Sequence, residues 1–263
     1  MKPSIFALAV LFQSTLLAQW TPPKNPNPEK ILDEARSDRN AGRYADALAK
    51  HLWFHENALK YQAGMGGVRL SFALSDWVEL GNLYPPALLM LRTVRDEAGK
   101  KVREVIGGHD SFQFFHDFAS INEALEEQSK TTDLFVWLDA NKSKSAKRVF
   151  SVAEPALIQS KQYRLCGKYI DADRSFGEIV SNYHMLQSMA KSGKFGSEFR
   201  EFTEEDFSNS TATLVALLAL NDHKADAIRI AEKALKEHDD AEFKQTLEKA
   251  KKGELPPSWP SDA

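Results

Sequence analysis

From Glu29 to Lys252 the apolar residues return every three or four positions, and short polar or glycine-containing breaks interrupt the runs. That spacing puts side chains on one face of a helix, and no segment shows the two-residue alternation of a half-buried strand. A chain patterned this way can hide its apolar surface only by laying helix against helix, so the sequence predicts an all-α fold. Hydrophobic residues make up 43% of the 263, enough for a continuous core.

Two segments of another kind come first. Lys2 is followed by an apolar stretch from Ile5 to Leu17, interrupted at Gln13, Ser14 and Thr15, and then by the small Ala18. A positive start, an apolar centre and a small residue are the parts of a secretory signal peptide. Residues 1–18 are therefore expected to be removed after Ala18, leaving the chain secreted or periplasmic; retention as an uncleaved anchor is the alternative. No cysteine stands near the junction, so a lipoprotein is not expected. No later run approaches the ~20 apolar residues that span a bilayer. Residues 19–28 hold Pro22, Pro23, Pro26 and Pro28 and read as a linker, because proline removes backbone donors. The helical region covers 29–252, and 253–263 reads as a mobile Pro-rich tail.

Within that region periodicity places helices over 29–40, 44–61, 68–80, 85–105, 111–130, 131–140, 146–165, 169–190, 204–220, 224–237 and 241–252. Pro155 should kink or restart its helix. Gly64-Met65-Gly66-Gly67 and Gly107-Gly108 read as breaks; a phosphate-cradling loop would need a Gly-Lys-Ser/Thr that does not follow.

One pattern recurs across these helices. Gly42-Arg43-Tyr44 with Ala47-Leu48 returns as Gly167-Lys168-Tyr169 with Ala172 and Phe176. It returns more loosely as Asp222 to Lys224 with Ala227-Ile228, Ala231 and Ala234, and in distorted form around Gly81 and Tyr84. The pattern resembles a divergent tetratricopeptide repeat of the bacterial exported type. In that family glycine permits a tight turn, tyrosine packs across it, and small residues such as Ala35 and Ser160 here let paired helices approach. The turns are not spaced by the family's ~34 residues, and its tryptophan, leucine-glycine and closing proline are missing. The resemblance therefore implies an irregular α-solenoid of helix-turn-helix repeats, with an ordinary helical bundle as the alternative. The family's first helices line a concave surface, which carries over to Arg36, Arg39 and Asn40 beside Ala35, and to Lys161 and Arg164 beside Ser160. Four of these five are cationic, so they are expected to bind a carboxylate-bearing peptide or another anion.

Local chemistry adds little. His51 and His55 lie one helical turn apart beside Leu48, Leu52 and Leu59, and read as packing histidines rather than metal ligands. His109 and His116 are read the same way. Ser188-Met189-Ala190-Lys191 lacks the motifs that accompany a serine-lysine nucleophile, and Asp171 and Asp173 fit a helix start better than a calcium loop. Cys166, the single cysteine, reads as a small buried hydrophobe. The carboxylate clusters read as solvated helix faces, and the basic run from Lys142 to Arg148 reads as a solvated loop at a turn. A net charge of -3 from interspersed charges favours neither nucleic acid nor an anionic membrane. Phe195, Phe199 and Phe202 form an apolar edge at helical spacing, flanked by Gly193 and Gly196, and are expected to act as a mobile lip. No catalytic residue, metal or cofactor is predicted. The leading expectation is an exported, non-catalytic interaction or scaffolding module that takes a protein or peptide partner. A polysaccharide-directed envelope enzyme, or enzyme subunit, with residues dispersed over several helices is the alternative, and a structural subunit of an envelope assembly is a third reading.

Overall fold

The computed structural model describes residues 20–104, 109–192 and 196–257. The expected signal peptide, the Gly107-Gly108 break, Phe195 and the last six residues of the tail lie outside these, as does the His109 side chain. The described residues form 13 α-helices and no strand, as the periodicity predicts. Contacts divide the chain into two compact units, Met1–Ser145 and Ala146–Ala263, and each is described by itself.

The first unit contains α1 (Pro28–Asn40), α2 (Tyr44–Tyr61), α3 (Gly66–Leu70), α4 (Phe72–Leu83), α5 (Pro85–Glu104), α6 (His109–Ala124) and α7 (Gln128–Asn141). Asn27 starts α1 by accepting from the Lys30 amide at 3.0 Å, and Pro28 fills the first turn, where its missing N–H costs nothing. Helices pack on their sequence neighbours: α1 on α2, α4 on α5 and α5 on α6. Leu32, Phe54, Ala58 and Ala73 form one core cluster, and Ala47, Leu74, Trp77, Leu80, Leu91 and Ile121 another. The residues read as a linker are not free of this body. The Trp20 ring meets Trp53 edge-on at 6.3 Å, and the Lys50 ammonium sits 5.4 Å from its centroid.

The second unit takes up α8 (Ser143–Gln159) from Ala146 and adds α9 (Tyr163–Tyr169), α10 (Ala172–Lys191), α11 (Ser197–Leu220), α12 (Lys224–Glu237) and α13 (Ala241–Ala250). The long α11 is its spine and packs on α9, α10, α12 and α13. Tyr183 of α10 stacks on Phe207 of α11 at 4.3 Å, and Val215, Leu218, Ile230, Phe243 and Leu247 continue the core. The described part of the tail is held: Leu255 packs on this core, and Asn209 donates to the Pro257 carbonyl at 2.9 Å.

Five helix ends share one backbone device. Gly42, Glu126, Lys161, Asp222 and Gly253 have positive φ, at 76°, 57°, 56°, 64° and 86°. After each, the next amide reaches a carbonyl five residues back: Arg43 to Asp38, Glu127 to Asn122, Gln162 to Leu157, His223 to Leu218 and Glu254 to Lys249, at 2.7–3.2 Å. The positive-φ residue itself bonds three residues back. This is the Schellman motif, which satisfies carbonyls that a helix end leaves orphaned. At the first four, a new helix begins two residues later, at Tyr44, Gln128, Tyr163 and Lys224.

Several expectations are corrected here. The turn assigned to Gly167 occurs at Lys161, and Gly167 lies inside α9, where an added Cβ would stand 2.0 Å from the Asn221 side chain. Asn221 donates to the Tyr163 and Leu217 carbonyls, both at 2.8 Å, so the glycine makes room for a bonded side chain and turns nothing. Gly81 likewise lies inside α4, where a Cβ would meet Leu88 at 2.3 Å. The helix expected over 111–130 ends at Ala124 because Glu126 takes positive φ, and that expected over 68–80 breaks at Ser71. Pro155 neither stops nor restarts α8, which runs on to Gln159. The last pair's first helix begins at Ser197, earlier than expected, and carries Phe199 and Phe202 in its opening turns.

Candidate functional site

The residues expected to bind a partner divide between the two units. In the first, Arg36 and Arg39 lie one turn apart on α1 and meet acids of α4. Arg36 Nε reaches Asp76 at 2.8 Å and its Nη1 reaches Asp33 at 2.9 Å. Arg39 pairs with Glu79 and stands 3.9 Å from Asp76. Burial works against the Arg36 charge, yet the bonds it donates to Asp76 and Asp33 outweigh it and raise its pKa. The two arginines are the cationic half of a neutralised α1–α4 contact; Asn40 beside them is exposed. In the second unit Lys161 is the positive-φ turn residue and Arg164 sits on α9, both exposed. They do not follow a small residue in a first helix, because Ser160 itself lies in the turn.

Beneath α2 lies a buried polar centre. His51 and His55, spaced to share a face, both pack on Trp77: His51 is stacked at 5.9 Å and His55 is edge-on at 6.1 Å. Trp77 donates to the Ala87 carbonyl at 3.0 Å, which fixes its plane. Burial, then Arg39 and Arg36, push His51 down to about 3; burial, then Arg69, do the same to His55. Both rings are therefore neutral at ordinary pH. Arg69 of α3, only 3% exposed, brings Nη1 within 3.1 Å of His55 Nε2 and 3.3 Å of its carbonyl, and pairs through Nη2 with Asp117 of α6. Burial pushes Asp117 up, with Arg69 opposing it, while burial lowers the half-buried His116. One guanidinium thus ties α2, α3 and α6 together.

A second strut joins α1 to α2. Asp38, 5% exposed, accepts from buried Lys50 and, at 2.9 Å, from Arg43 Nε. Burial raises the Asp38 carboxyl, but the bonds from Lys50 and Arg43 outweigh it and hold it low. Elsewhere in this unit Asp96, Lys100, Arg103, Glu104, Phe118, Lys130 and Asp133 line a shallow open depression of about 660 Å³, whose mixed charges favour neither sign of ligand.

In the second unit burial and the nearby Glu178 push the Glu154 carboxyl up to about 7, and burial, then Glu154, push the Cys166 thiol up to about 12. Asp171 caps α10 by accepting from the Arg174 amide at 3.2 Å, as a helix-start reading requires, and Asp173 in the first turn pairs with Arg229 and Lys233 of α12. Ser188 and Lys191 lie exposed on α10. Among the described residues no three His, Cys, Asp or Glu side chains gather as a metal site needs, and no helix is long and apolar enough to cross a membrane.

Sequence reading missed Arg69, Asp117, Asp76 and Glu79. The only signal for Arg69 was a charge among Val68, Leu70 and Phe72; the acids of α4 and α6 stand some forty residues from their partners, with no local mark. Comparison of the chain with protein-family models, with curated proteins and with solved structures finds no match.

Proposed function

We propose that the chain is an exported, non-catalytic protein-interaction or scaffolding module built of divergent tetratricopeptide-like helix pairs. The observation that carries this reading is a set of large apolar side chains left in water on otherwise well-packed helices. Leu83 and Leu89 of the first unit are 57% and 68% exposed, and Met185 of the second is 54% exposed. Apolar side chains left in water in either unit can be covered by an apolar face of a partner. The charged groups support the same reading: Asp38, Arg69, Arg36 and Arg39 are used to hold helices together. Export is supported by the Lys2-to-Ala18 pattern, and N-terminal sequencing from the native host should find a chain starting near Gln19; an intact Met1 on cytosolic material overturns it. The interaction reading is tested by placing a photo-cross-linking residue at successive exposed positions in the native host. Discrete adducts with another protein at a subset of positions are expected, and adducts at none overturn it.

The enzyme alternative would draw on Glu154, whose carboxyl burial and the nearby Glu178 push up to about 7, a range suited to proton donation. Release of soluble fragments from cell-wall polysaccharide, abolished by Glu154→Gln, would establish that reading instead.

A further inference from the structure

We propose that one side of the α10–α11 hairpin is a docking seam for a cationic amphipathic helix of a partner protein, a proposal that rests on the interaction-module reading. The side is defined by the hydrogen bond from Asn182 Nδ2 to Asp206 at 3.2 Å, which joins the two helices across it. Met185 and Met189 lie three and seven positions after Asn182, and Phe202 and Phe199 lie four and seven before Asp206. Those spacings return to the same helical face, so all four side chains share the side that the Asn182–Asp206 bond marks. Tyr183 and Phe207, one position further on each helix, stack at 4.3 Å in the core, which fixes inward as the direction about 100° round each helix from that side.

The seam is apolar, and three of its four side chains are exposed. Met185, Met189 and Phe202 are 54%, 39% and 40% exposed, and Phe199 stacks on Phe202 at 6.2 Å. Two methionines beside two phenylalanines make a surface that can adapt to an apolar helix face, because thioether side chains repack easily and favour aromatic neighbours. Its border on α11 is acidic. Glu198, Glu201 and Glu205 project on the outer flank of α11, all exposed and in no ion pair among the described residues. Arg200 is the single cation in the same turns. An apolar strip bordered by carboxylates complements a helix with an apolar face and Lys or Arg beside it. Residues 258–263, Ser-Trp-Pro-Ser-Asp-Ala, do not meet that description, since they hold no cation. The partner is therefore opposite in charge to the one the resemblance implied for Arg36 and Arg39, whose charges Asp33, Asp76 and Glu79 already meet.

The test titrates the purified full chain into a labelled helical peptide of about eighteen residues built only of Leu and Lys, long enough to hold a helix on binding. Saturable 1:1 binding that weakens with added salt is expected. Met185→Glu with Met189→Glu should weaken it about tenfold or more, as should Glu198→Lys with Glu201→Lys and Glu205→Lys, each step of ten being a modest change in free energy. Met189→Leu should keep it, and thermal melts of every variant should match the parent. No saturable binding, equal binding by the variants, or equal binding of a Leu/Glu peptide overturns the proposal. So does a dimer in sedimentation that Met185→Glu dissolves, since a second copy would then cover the seam. In the native host a cross-linker at Met185 should give an adduct; adducts only elsewhere overturn the seam alone, whereas adducts nowhere overturn the module reading with it.

Discussion

Arg69 carries a guanidinium into the first unit where His55 and Asp117 receive it. Removing it leaves the Asp117 carboxylate buried without its cation, so Arg69→Leu should cost about 3–5 kcal/mol in denaturant melts, and pairing it with Asp117→Leu should recover much of that. His51 and His55 set a pH dependence. Each is held at about 3 in the fold against 6.5 for the free side chain, so the unfolded chain binds more protons between those values. Their contribution is complete above pH 6.5 and is lost as pH falls toward 3, at about 1.4 kcal/mol per pH unit for each ring. Stability measured from pH 7 to 4 should fall steeply, and His51→Gln with His55→Gln should flatten the slope. At this scale the sequence revealed types more readily than partners. The histidines were legible as packing residues because Leu48, Leu52 and Leu59 surround them in the pattern. Arg36 and Arg39 were legible only as charges, since Asp76 and Glu79 reach them through the fold.

Helix ends separate two uses of glycine that look alike in the sequence. Gly42 turns the chain at φ 76° with no atom within 4 Å of an added Cβ, so Gly42→Val should cost about 1–3 kcal/mol through backbone strain alone. Gly167 sits in a helix against Asn221; Gly167→Ala must displace that side chain and its two hydrogen bonds, and should cost at least about 2 kcal/mol. Lys161 makes the opposite case. It holds a turn conformation that favours glycine, and Lys161→Gly should raise the melting midpoint, by up to about 1 kcal/mol of stability. These turns explain which boundaries could be read. The α1–α2 pair was legible to within a residue because glycine marks its turn. Glu126 and Lys161 perform the same turn without a marking residue, so the boundaries around them were displaced.

For the whole molecule, the second unit has its own continuous core around α11. A fragment spanning 143–263 should therefore remain helical and melt cooperatively by itself, as circular dichroism would show; loss of its helix signal would mean that the core needs the first unit. All-α class was legible from periodicity, whereas the split into two units was not: the polar, basic run from Asn141 to Ser145 reads as an ordinary break between helices, and α8 in fact runs across the boundary. Trp20→Ala should lower the first unit's melting midpoint, since that ring covers Trp53 and Lys50. A broader consequence follows from the two neutral imidazoles against Trp77. Delivered beyond the cytoplasm, as proposed, the protein meets whatever acidity the surrounding fluid has, with no cell buffer to shield it. Two interior groups that stay uncharged in the fold weaken it as the surroundings turn acid, so of the conditions an exported chain meets, acidity is the one its interior is least built to withstand.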